Sequence, residues 1–137
     1  AWTDARWATV KAFPGAKEVL WSLKSRGVRL GLVTNGSAEV QRKKIDCLNL
    51  HDIFDHIQIE GVFGLGKPEP EVYIHALHVL DSEPEETWMV GDNLEFDVLA
   101  PMKLGIYGVW VDQEGRDLPS DMQTYPDRII GSVAELL

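Results

Sequence analysis

Asp92 and Asp97 lie five residues apart, just where the run Thr87-Trp88-Met89-Val90 gives way to Gly91, and that pairing suits a hard cation. The run has the character of a buried parallel strand, and an ionised aspartate directly after it is costly unless it is paired or bound to a cation. Asp92 is therefore expected at the mouth of a sheet, where open α/β sheets bind ligands, with Gly91 leaving the backbone free to turn. Apolar side chains at 94, 98 and 102 give helical spacing over Leu94 to Leu104. That spacing puts Asp97 in the helix's first turn and both carboxylates on one crevice. Mg²⁺ usually takes one or two protein carboxylates and fills its octahedron with water and phosphate oxygens. The same two residues also read as a helix cap and a partner for the helix dipole, and on their own they weigh equally for either role.

Two further positions bear chemistry. Thr34 ends the apolar run Leu30-Gly31-Leu32-Val33 and leads into Asn35-Gly36-Ser37, a turn whose free N–H groups at a helix start suit phosphate oxygens. Read singly, Thr34 serves only to hold that turn. Lys67 lies in Gly64-Leu65-Gly66-Lys67-Pro68-Glu69-Pro70, where flanking prolines fix its backbone and reduce the entropy lost on ordering. A lysine held rigidly beside a carboxylate crevice is more than a solvated charge. His75 and His78 share a helix face but lack a matching Cys or Asp set, and are read as partly exposed polar-face residues. Cys47, Trp21, Trp88 and Trp110 fall on patterned elements and are read as core.

These positions need a scaffold that brings strand tips together. Ala16, Val19, Leu20 and Leu23 predict a helix stopping at Gly27, followed by a strand from Arg29 to Thr34. Ser37 is the expected N-cap of a helix whose face is set by Val40, Lys44 and Leu48. Ile57 to Ile59 reads as a strand, Gly61 to Pro68 as a glycine-rich loop, and Glu69 to Leu80 as a helix with Tyr73, Ala76, Leu77 and Leu80 inward. After Asp92 come its helix, interrupted by Pro101 and so expected to kink or end there, and a strand from Ile106 to Val111. A polar loop from Asp112 to Pro126, a short strand at Arg128 to Ile130 and a terminal helical turn complete the chain. Residues 1–13 space Trp2, Trp7, Val10 and Phe13 about a helical turn apart. Strands alternating with helices imply right-handed crossovers and a doubly wound parallel sheet, a three-layer Rossmann-like α/β domain.

At 137 residues the chain has the length of one domain, and its net charge of −9 argues against nucleic acid or an anionic membrane surface as the main partner. An acidic protein that handles an anionic substrate must supply positive charge locally, from a metal or a placed lysine. A single cysteine fits a reducing compartment, and no apolar run approaches a membrane span, so the expected location is cytoplasmic.

Taken together, Leu32-Val33-Thr34-Asn35-Gly36, Gly66-Lys67-Pro68 and Gly91-Asp92 with Asp97 resemble the second, third and fourth motifs of the haloacid dehalogenase superfamily of hydrolases, in order and spacing over residues 14–112. The resemblance implies a Mg²⁺-dependent phosphomonoesterase of small phosphorylated metabolites. In it Thr34, Asn35, Gly36 and Lys67 would bind the phosphoryl group, Lys67 and Thr34 would act in catalysis, and Asp92 with Asp97 would hold Mg²⁺. The family forms an aspartyl-phosphate on an aspartate at the tip of its central first strand, and no segment of this chain carries that motif: Asp4 follows no apolar strand, and Asp117 and Asp121 sit in a polar loop. Residues 1–13 are accordingly expected to be the end of a cap segment or linker, and 14–137 the C-terminal portion of the core domain, with the first strand absent. An empty central slot would expose two rows of backbone polar groups, so it is expected to be filled by a missing fragment, a partner such as a second copy, or one of the chain's own segments. Two other readings stand beside this one: a non-catalytic binding module, favoured by the missing nucleophile, and a 2-haloacid dehalogenase, which has no use for a metal-binding acid pair.

Overall fold

The computed structural model describes residues 6–8, 15–116 and 118–137, with the backbone alone described at 6–8. Six strands form one parallel sheet: β1 (Arg6–Ala8), β2 (Leu30–Thr34), β3 (His56–Ile59), β4 (Trp88–Gly91), β5 (Tyr107–Val111) and β6 (Arg128–Ile130), in the spatial order β3-β2-β1-β4-β5-β6. The helices are α1 (Ala16–Ser25), α2 (Ala38–Cys47), α3 (Glu60–Phe63), α4 (Pro70–Leu80) and α5 (Ala100–Met102).

Alternation along the strands divides the core in two. In β2, Leu30 and Leu32 pack on one face with Val19, Leu20 and Leu23 of α1, Ile45 of α2 and Val133 and Leu136 of a terminal 3₁₀ turn, while Val33 packs on the other. In β4, Val90 joins the first cluster and Met89 the second, where Val72, Tyr73, Ala76, Leu77 and Leu80 of α4 meet Ala100 and Ile106. A side-chain period of two on a sheet covered on both faces yields this three-layer arrangement, with every strand tip delivered to the same edge. Among the described residues, no helix is long and apolar enough to cross a membrane.

The central slot is occupied by the chain itself. Arg6–Ala8 pairs with Leu30, Gly31 and Leu32 on one side and with Trp88, Met89 and Val90 on the other. This segment is a strand where its apolar spacing predicts a helical turn, because pairing on both sides satisfies two rows of backbone groups that a helix would leave open. Residues 1–5 and 9–14 lie outside the described residues, as does Asp117.

Other expectations are corrected locally. The stretch read as a glycine-rich loop contains α3, one turn closed by the Gly64 N–H on the Glu60 carbonyl. After Asp92 the backbone winds as a π-helix over Leu94–Leu99 before α5. Pro101 lacks an N–H, and the Ala100 N–H bonds back to Glu95, so the wider turn absorbs the interruption and the helix ends at Met102. Val40 and Trp21 are exposed, and Ile45 instead carries the buried face of α2. Cys47 is exposed as well, placed at the outer end of α2. Trp110 is in the core and Trp88 is half-buried.

Candidate active site

Thr34 ends β2, and the chain turns through Asn35 and Gly36 to Ser37, whose hydroxyl accepts a hydrogen bond from the Val40 N–H and starts α2. The Thr34 hydroxyl reaches the Asn35 carbonyl only at 3.4 Å, outside the usual range for an O–H donor, so the turn makes little use of it. Gly36 takes φ +120°, a conformation costly to side-chain-bearing residues. Its N–H donates to Glu60 Oε1 at 2.8 Å and its carbonyl accepts from the Gly61 N–H at 3.0 Å. Gly36 thus spends its polar groups on tying the turn to α3, although sequence spacing offers them to phosphate.

Asn35 reaches toward the next loop. Its Nδ2 donates to the Lys67 carbonyl at 3.0 Å and its Oδ1 accepts from the Lys67 N–H at 2.8 Å, so both ends of the side-chain amide hold one residue. Gly66 is buried against this junction, where an added Cβ would sit 2.3 Å from Glu60 Oε2 and 2.9 Å from Asn35 Oδ1. Lys67 is thereby aimed inward, and its Nζ donates to Asp97 Oδ1 at 2.6 Å in an almost fully buried pair.

Asp97 is fully buried, and its other oxygen, Oδ2, accepts from the Asn93 N–H at 3.1 Å. A Cβ on Gly91 would come within 2.4 Å of Oδ2, so the glycine makes room for this carboxylate. The helix cap is Asn93, whose Oδ1 accepts from the Phe96 N–H, which removes the cap role from Asp92. Tyr73 lies behind the site and donates to the Phe96 carbonyl at 2.6 Å. Burial, with the nearby carboxylates of Asp97 and Glu95 adding to it, pushes its hydroxyl well above the ordinary tyrosine range.

Thr34, Asn35, Lys67, Asp92, Asn93, Phe96, Asp97, Glu114 and Arg116 line one cavity of about 460 Å³. Thr34, Asn35, Lys67, Asp92 and Asp97 all come together there as their spacing predicts; Gly36 lies one residue behind the wall. Trp110 donates its Nε1–H to the Asp92 carbonyl at 3.0 Å and so fixes the backbone at the β4 tip. Among the described residues no three His, Cys, Asp or Glu side chains cluster as a cage, and His75 and His78 form no such group. Asp92 at the half-buried wall, with Asp97 behind it, is a donor set that fits Mg²⁺, an ion that needs few protein ligands.

Sequence reasoning misses Glu60, Asn93 and Arg116. Asn93 carries a readable signal, since an Asn before a helical run is a standard cap. Glu60 carries none, because it meets Gly36 only after β2 and β3 are placed side by side, and Arg116, whose partners Asp112 and Trp110 are close in sequence, sits in a polar loop with no motif to mark it.

Residues 3–105 match the family model for haloacid dehalogenase-like hydrolases. The chain is 32% identical over 138 residues to the glyceraldehyde 3-phosphate phosphatase of Pyrococcus furiosus, covering 100% of this chain and 58% of that protein. It is 37% identical over 124 residues to the phosphoserine phosphatase of Thermus thermophilus, covering 90% of this chain and 49% of the relative. The crystal structure of a HAD phosphatase from Thermococcus onnurineus superimposes with a TM-score of 0.81 at 33% identity, over 90% of this chain and 55% of that one. The chain spans about half the length of these relatives.

Proposed function

The chain belongs to the haloacid dehalogenase-like hydrolases, and from that premise we propose that the protein hydrolyses phosphomonoesters of small metabolites with Mg²⁺. The observation that carries this reading is the buried Lys67–Asp97 pair, 2.6 Å long, opening onto the same cavity as Thr34 and Asp92. A dehalogenase reading leaves Asp92, on the cavity wall, without a cation to hold. The two sequence relatives named above, each called a phosphatase, favour ester hydrolysis too.

In this reading the phosphoryl group lies between the tips of β2 and β4. The Thr34 hydroxyl, only loosely held by its own turn, donates to a phosphoryl oxygen, and the Asn35 N–H beside it adds a backbone donor, while the Gly36 N–H stays on Glu60. Lys67 balances charge on the phosphoryl group while Asp97 keeps its ammonium in place, an electrostatic arrangement set before substrate arrives. Asp92, with Asp97 behind it, would hold Mg²⁺, and the ion would supply charge neutralisation for the phosphoryl oxygens. Attack comes from an aspartate that forms an aspartyl-phosphate, splitting one displacement into two. β1 fills the central slot and holds no aspartate, and we propose that the attacking carboxylate comes from outside this chain.

The test is p-nitrophenyl phosphate hydrolysis by the full-length protein with Mg²⁺ and with EDTA. Turnover should require Mg²⁺, and Asp92→Asn should lower it by at least a hundredfold; turnover that survives EDTA refutes the assignment. The non-catalytic reading rests on the absence of aspartate from β1. It takes over if the full-length protein binds inorganic phosphate with Mg²⁺ yet turns over no ester.

A further inference from the structure

Arg116 stands on the wall of the same cavity, on the loop after β5. Its Nε donates to Asp112 Oδ1 at 3.3 Å, and its guanidinium lies 5.2 Å from the centroid of the Trp110 ring. Asp112 is buried, and Trp110 is itself fixed through its hydrogen bond to the Asp92 carbonyl, so the guanidinium is anchored to the β4 tip that carries Asp92. The anchoring uses the Nε edge and one face of the group. The Nη atoms form the fork that matches a planar oxyanion with two parallel hydrogen bonds, and no hydrogen bond from them is made among the described residues. A preorganised guanidinium has little conformational freedom left to lose on binding.

Resting on the phosphatase reading above, we infer that Arg116 selects phosphomonoesters whose leaving group carries a carboxylate. With the ester phosphate at Thr34 and Lys67, beside the cation that Asp92 would hold, the leaving group would extend across the cavity to Arg116, which lines its wall. Asp112 stands at 3.3 Å and Glu114 at 3.9 Å from the Arg116 Nε, so the surroundings of the guanidinium are already rich in negative charge. That charge disfavours a dianionic second phosphate more than a monoanionic carboxylate.

The test compares kcat/KM of the full-length protein on three esters of one chain length: O-phospho-3-hydroxypropionate, O-phospho-1,3-propanediol and propane-1,3-diol bisphosphate. The carboxylate ester should be favoured over the alcohol by about tenfold, the scale of one charge-assisted bidentate contact, and over the bisphosphate as well. Arg116→Ala should collapse the carboxylate-to-alcohol ratio towards one, Arg116→Lys should retain only part of it, and Glu114→Gln should raise the bisphosphate relative to the carboxylate. Because the readout is a ratio within one preparation, loss of folded protein cancels. A wild-type ratio near one, a ratio that survives Arg116→Ala, or a bisphosphate preference overturns the inference while leaving the phosphatase reading standing. No hydrolysis of any of the three, nor of p-nitrophenyl phosphate, overturns both.

Discussion

Lys67 and Asp97 depend on each other, since each is a charge withdrawn from water. Removing one partner of such a pair typically costs about 3–5 kcal/mol, whereas replacing both with apolar groups of similar volume is often neutral. Lys67→Met should therefore lower the urea midpoint strongly, while Lys67→Met with Asp97→Leu should regain much of the loss without regaining any activity. Equal midpoints for the single and double variants would contradict the pairing. Tyr73 supplies a separate test. Its hydroxyl titrates higher folded than unfolded, mainly through burial, so the unfolded chain releases this proton first. Stability is unaffected below the unfolded value of about 10 and falls as pH rises through and beyond it. Tyr73→Phe should cost about 1 kcal/mol at neutral pH for the lost bond to the Phe96 carbonyl, and should flatten the alkaline decline measured by urea titration between about pH 9 and 11.

Among the elements, the β4 tip and the turn that follows it set the spacing of the acid pair. The Gly91 Cα lies so close to Asp97 that a methyl group would collide with the carboxylate and with the Asp97 Cβ at 2.5 Å. Gly91→Ala should cost about 1–3 kcal/mol through overpacking and, by displacing Asp97, should raise the Mg²⁺ concentration needed for half-maximal activity. An unchanged metal requirement would mean that Asp97 is not held by this contact. The positions of Thr34, Lys67, Asp92 and Asp97 are legible in the sequence because each carries a local signal: an apolar run ending at a polar residue for Thr34 and Asp92, a lysine followed by two prolines for Lys67, and helical spacing after the strand for Asp97. The π turn is not legible: apolar residues at 94, 98 and 102 fit an ordinary helical period, and Pro101 announces only that something must give. Glu60 is hidden for a different reason. It meets Gly36 across 24 residues of chain, a contact made by the pairing of β2 with β3.

In the molecule as a whole, β1 is the sole ladder between two half-sheets, β2 with β3 on one side and β4 with β5 and β6 on the other. Among the described residues that junction is three residues long, as short as the outer pairing of β5 with β6. Native-state hydrogen exchange should find the amides of Arg6–Ala8 opening ahead of those in Leu30–Thr34 and Tyr107–Val111; uniform protection across all three strands would mean the sheet opens only as one unit. The site lies astride this seam, with Thr34 and Lys67 on one half and Asp92 and Asp97 on the other. The ion pair between Lys67 and Asp97 is therefore a stitch across the joint, and in the proposed phosphatase a bound anion with its cation would add more. Ligand occupancy and cohesion of the two halves are one equilibrium, so whatever fills the cavity should slow the breathing of β1 by the same factor that it stabilises the closed sheet.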